Sequence, residues 1–121
     1  MPLYDKVKIL GNITVDGKLT TKLSINRKTK IISDSSDVFA TEMFETVIFT
    51  TTTPIIYNLP AGTEDLDGTT STLINGGGGE ITIRVTTTID GNVGVTDLVL
   101  LNVHDRTTLR YVHSNTTWYI I

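Results

Sequence analysis

The chain has 121 residues, a formal net charge of −3, no cysteine and 39% hydrophobic residues at a mean hydropathy of +0.07. That length holds one ordinary domain plus a short appendage, and the apolar content argues against global disorder. The composition excludes a disulfide-stapled scaffold and thiolate chemistry. It offers no apolar run long enough for a membrane-spanning helix, and no clustered basic surface of the kind that nucleic acid binding requires. The densest cationic group, Lys22, Arg27, Lys28 and Lys30, reads as a solvated patch. The opening MPLYDKVK lacks the apolar core of a signal peptide, so the chain reads as made in a cytoplasm and released, if at all, by lysis or assembly. Twenty-three threonines dominate the composition. Threonine is β-branched, stiff at χ1 and tolerant of water, and periodic runs of helix formers are nearly missing, which gives an all-β chain.

Residues 5–33 carry a six-residue beat. Val7, Ile13, Leu19, Ile25 and Ile31 stand six apart, with Ile9, Val15 and Leu23 on the same parity. A strand turns every second side chain to one face, so all of these share a face. A repeat this thin cannot bury its apolar side alone and needs neighbouring copies. Asp16-Gly17 offers a two-residue hairpin as the alternative. Such a hairpin sets Val15 against Lys18 and Ile13 against Thr20, so the apolar parity conflicts across it. An intertwined multi-chain β-structure is therefore the preferred reading.

Further along, Ser33–Asp37 form a polar hinge. Val38, Phe39, Met43 and Phe44 are spaced for a short helical turn or irregular linker over 37–44, with a strand as the alternative. Strands are then predicted at Thr46–Thr51, Ile55–Leu59, Ser71–Asn75, Glu80–Ile89, Asp97–Val103, Thr108–His113 and Thr117–Ile121. Between them lie Thr53-Pro54, an acidic loop Glu64–Gly68, a flexible glycine turn Gly76–Gly79, and turns at Asp90–Asn92, His104–Arg106 and Ser114-Asn115. Seven short strands with frequent turn signals predict a small antiparallel β-sandwich or barrel. The apolar run Trp118, Tyr119, Ile120 and Ile121 is expected to be paired and buried, since exposure would invite aggregation.

Signs of catalysis are weak. Gly76–Gly79 lacks the Lys and Ser/Thr of a phosphate loop, and Glu80 follows instead. The run from Glu64 to Gly68 resembles part of a calcium loop, but the twelfth place counted from Asp65 is Gly76, not a carboxylate. It reads as a solvated acidic loop. His104 and His113 bracket a predicted hairpin, where they could face each other. They could also ring a threefold axis to hold a metal or anion, although ordinary surface or interface histidines are the simpler reading. There is no G-x-S-x-G elbow, so no enzyme and no cofactor are expected. Asn12-Ile13-Thr14 and Asn115-Thr116-Thr117 match the glycosylation acceptor pattern, as a threonine-rich chain does by chance. Tyr57, Tyr111, Trp118 and Tyr119 read as core or interface residues before sugar-stacking ones.

Three strings carry a family resemblance. VKILGNITVDGKLTT resembles the GNLTVDGNLT strings of bacteriophage tail fibres and other viral fibre proteins. The segment PIIYNLPAGTEDLDGTTSTLINGGGGEITIRV resembles the start of the small β heads that cap such fibres, and LRYVHSNTTWYII resembles their common last strand. The resemblance implies a homotrimer in a virion, made in the host cytoplasm, with a short intertwined shaft over residues 1–36 and a β head over residues 37–121. Val7, Ile13, Leu19, Ile25 and Ile31 would then face the threefold axis. The implied function is attachment to a host-surface glycan or protein receptor, in contact with other virion proteins, without nucleic acid or membrane insertion. The shaft is short, which suits either a spike or the distal piece of a longer fibre. Ligand contacts are expected on the head loops, at Asp65, Asp67, Asp90, Asn92, His104, Asp105 and Arg106. The alternatives are a purely structural virion component, such as a capsid decoration or fibre joint, and a monomeric carbohydrate-binding module.

Overall fold

The computed structural model describes residues 14, 16, 17 and 28–121. Val7, Ile13, Leu19 and Ile25, and the pairing expected around them, lie outside the described residues. The described chain is all-β, in two sheets. Its strands are β1 (Thr29–Ile32), β2 (Val38–Phe39), β3 (Thr46–Phe49), β4 (Ile55–Asn58), β5 (Thr70–Asn75), β6 (Ile81–Arg84), β7 (Thr88–Ile89), β8 (Asp97–Leu100), β9 (Arg106–Val112) and β10 (Thr117–Ile120). A six-stranded sheet has the order β1-β3-β5-β9-β10-β7, and a four-stranded sheet the order β2-β4-β6-β8.

The expected antiparallel sandwich is corrected to a mixed one. β1, β3 and β5 are parallel neighbours in one sheet, and β2, β4 and β6 are parallel neighbours in the other. The chain therefore winds as a coil, crossing between sheets after each strand and stacking each pass on the last. Thr29, Thr46 and Thr72 are successive register partners, as are Ile31, Ile48 and Ile74. Turn residues look the same whether they fold a chain back beside itself or carry it across a sandwich, which is why the sequence suggested hairpins. Antiparallel pairing enters only later, where β8 joins β6, β9 joins β5 and β10 returns along β9.

Other expectations shift too. The helical lean over 37–44 gives way to β2, because Val38 and Phe39 pair with Tyr57 and Asn58. The single strand over 80–89 is broken after Arg84, where Thr86 and Thr87 bend and the chain changes sheets. Its alternation survives the break, since Ile81, Ile83, Val85 and Ile89 are all buried. The strand expected to reach Val103 ends at Leu100.

The core lies between the sheets. Val47, Phe49, Leu73, Leu109, Tyr111 and Trp118 face Ile55, Tyr57, Ile81, Ile83 and Leu100. The Phe49 and Tyr57 rings meet edge-on across the sandwich at 5.1 Å and 76°. Trp118 is fully buried against Tyr111, with ring centroids 5.0 Å apart. Burial of the closing segment stops there: Tyr119 is half-buried, while Ile120 and Ile121 are 44% and 58% exposed.

The glycine turn is packed rather than flexible. Asn75 is fully buried, and its Nδ2 donates to the carbonyls of Gly79 (2.7 Å) and Leu100 (3.0 Å). Its Oδ1 accepts the Gly78 N–H at 2.9 Å. A Cβ on Gly77 would overlap the carbonyl oxygens of Thr50 and Thr51, so only glycine permits this close approach.

Candidate functional site

The structure scatters the residues that the sequence nominated for ligand contact. Asp65 and Asp67 belong to a 3-10 turn at Glu64–Leu66 and its exit. Asp67 Oδ1 accepts the His113 N–H at 2.9 Å, and the Gly68 N–H donates to the Tyr111 carbonyl at 2.8 Å. This acidic loop is therefore tied to the end of β9. Below it the Tyr111 hydroxyl bonds His113 Nδ1 at 3.0 Å, and Gly62 lies so close to the Tyr111 ring that no side chain fits there.

His104, Asp105 and Arg106 sit at the other end of β9. Asp105 Oδ2 accepts the Asn102 N–H at 2.9 Å, and His104 holds a left-handed backbone with φ 74°. The two histidines thus bracket one strand and stand at its opposite ends, so the facing arrangement is corrected. Asp90 and Asn92 form a third group, at the edge beside β10. Asp90 Oδ1 accepts the Ile120 N–H at 2.9 Å, and its backbone is also left-handed, with φ 53°. In Asp67, Asp90 and Asp105 the carboxylate satisfies a backbone donor: Asp105 does so within its own turn, whereas Asp67 and Asp90 tie their loops to the distant ends of β9 and β10. Among the described residues, no group of three or more His, Cys, Asp or Glu is placed to hold a metal ion. No helix among them is long and apolar enough to cross a membrane.

Asp65 has a different setting. It edges a groove of about 540 Å³ between the bend after β2 and the loop after β4. Ala40, Met43, Pro60 and Leu66 form the apolar floor, and Glu42 and Asp65 supply carboxylates on the rim. The volume falls in the range of small-molecule sites. An apolar floor beside carboxylate acceptors matches a sugar ring, which has a C–H face and hydroxyl donors. Sequence reading missed Glu42 and Met43, because they lie in a span whose bend only the pairing of β2 with β4 creates.

A second concavity, of about 290 Å³, opens between β1 and β2. Lys30, Asp34 and Glu42 line it with Tyr57. Burial pushes the Tyr57 phenol up to about 12 from an ordinary value of 10.0, so its hydroxyl stays protonated through neutral pH. On the outer face of the four-stranded sheet, Arg84 Nε and Nη2 each donate to Asp97 at 2.9 Å. That bidentate bond holds the Asp97 carboxyl below its usual range.

No family model, no curated protein and no solved structure matches this chain.

Proposed function

We propose that this chain is the subunit of a trimeric viral fibre or spike that attaches the particle to a host-surface glycan. The shaft lies before β1, and the β head begins at β1 (Thr29–Ile32) rather than at residue 37, since that strand pairs with β3 and sends Ile32 into the core. The observation that carries the reading is Ile31. It is the last of the aliphatic residues set six apart, and it is 61% exposed while its neighbour Ile32 is 3% exposed. An aliphatic series that stays on one phase and ends uncovered within its own chain calls for identical neighbours. The groove edged by Glu42 and Asp65 supplies the sugar contact. Three such grooves on one rigid particle raise avidity by about 10²–10⁴ over a single weak site.

Light scattering after size exclusion tests the assembly, and labelled protein on intact host cells tests attachment. The expected result is a mass three times the 13.3 kDa of one chain, together with saturable cell binding. Glu42→Ala with Asp65→Ala should abolish that binding and leave the mass unchanged. A trimer that ignores every host cell tried would replace attachment with a purely structural role in the virion. A monomer that binds sugar would leave a carbohydrate-binding module.

A further inference from the structure

We infer that the trimer contact continues from the shaft onto the outer face of the six-stranded sheet, along the row Ile31–Ile48–Ile74, and that its occupant is a second copy of this chain. The inference rests on the trimeric reading above and adds the surface by which the heads meet.

The row is made by register. Ile31 is the partner of Ile48, and Ile48 of Ile74, on three parallel strands. With strands about 4.8 Å apart, it forms a stripe about 10 Å long, running in the direction in which the coil stacks. Alternation turns Ile32, Val47, Phe49 and Leu73 into the core and leaves the three isoleucines outward, Ile31 exposed and Ile48 and Ile74 half-buried. Beside them runs a second row of partners, Thr29–Thr46–Thr72, continued by Thr108. Across β1, β3 and β5 the side chains that alternation places outward are threonines and isoleucines; the exposed Lys30 of β1 falls on the other phase and lines the concavity beside Tyr57.

Rotation about an axis parallel to the stripe leaves every residue at its own height. Each level therefore meets its own copies, and the row nearest the axis meets itself: Ile31 meets Ile31, Ile48 meets Ile48 and Ile74 meets Ile74. A surface used this way must carry no charge near the axis, because each charge would meet itself. The row meets that condition for three strands and then stops, since the partner of Ile74 on β9 is Arg106. The contact accordingly ends at β5. The outer face of the four-stranded sheet fails the condition. There Ile56, Thr82 and Val99 form a row directly beside Asn58, Arg84 and Asp97, two of which are charged. Phase supplies the link to the shaft, because Ile31 belongs both to the six-residue series and to this row.

The chain has no cysteine, so single introduced thiols report proximity cleanly. Full-length Ile48→Cys and Ile74→Cys, treated with a short bis-maleimide and run on a denaturing gel, should give covalent dimers. Val99→Cys on the opposite face should stay at the single-chain position. Ile48→Arg added to Ile74→Cys should abolish its cross-link, with the fluorescence of the buried Trp118 unchanged. A trimeric parent whose Ile48→Cys and Ile74→Cys forms cross-link no better than Val99→Cys overturns this interface and leaves the trimer standing. An Ile74→Cys cross-link that persists undiminished beside Ile48→Arg does the same. A monomeric parent overturns the trimer as well.

Discussion

Asn75 takes the third place in a stacked row that begins with two hydrophobic side chains: Ile32, Phe49 and Asn75 are successive register partners facing the core. Its amide is tolerated there because all three of its bonds go to backbone groups of the glycine turn and of β8. Asn75→Leu keeps the volume but strands two carbonyls and one N–H, at a cost of about 3 kcal/mol, readable as a lower urea midpoint. Thr107 shows the opposite case. Its buried hydroxyl has no hydrogen-bond partner among the described residues. Thr107→Val keeps the shape, removes that orphan and should raise stability by about 1 kcal/mol in the same assay. Tyr57 sets an alkaline limit. Its folded pKa of about 12 lies above the ordinary 10.0, so the unfolded chain gives up this proton first as pH rises. The stability is full below pH 10 and is lost as pH climbs through 12. Tyr57→Phe should flatten that decline in denaturation midpoints taken across the alkaline range.

At the scale of elements, the two most demanding segments are the glycine turn and the closing hairpin. Gly77→Ala drives a methyl group into the carbonyls of Thr50 and Thr51. It should destabilise by about 2 kcal/mol or more, since backbone rather than a flexible side chain must move. Trp118→Ala empties the space beside Tyr111 at a cost of about 3–5 kcal/mol. That is much of the whole stability of a small domain, so the variant should show a broad, early thermal transition. Strand positions were legible in the sequence because short β-branched and aromatic runs bounded by turn formers mark β3, β4, β5, β9 and β10, while clear period-two alternation was confined to stretches such as Glu80–Ile89. Pairing was not, since it depends on where each turn delivers the chain. One signal lay in plain view: Thr29-Lys30-Ile31, Thr46-Val47-Ile48 and Thr72-Leu73-Ile74 share a threonine–any–isoleucine pattern that register then stacks. Their unequal spacing hid it, and adjacent aliphatics such as Val47 and Ile48 left the outward face ambiguous. The candidate groove was legible only at Asp65, because its other wall comes from a bend that sequence read as linker.

For the whole molecule, the proposed shaft makes a sharp demand. Ile25→Asp would crowd identical carboxylates around one dry axis, and it should reduce the particle to single chains by light scattering. The order of strands carries a separate demand on how the head is made. β10 lies between β9 and β7 in the six-stranded sheet, and both neighbours precede it along the chain. A nascent polypeptide stalled anywhere before Thr117 therefore has β7 with no ladder to join and the Tyr111 ring without its indole neighbour. β7 enters the six-stranded sheet only through β10, so this half of the protein completes its pairing only after the ribosome has made the last strand.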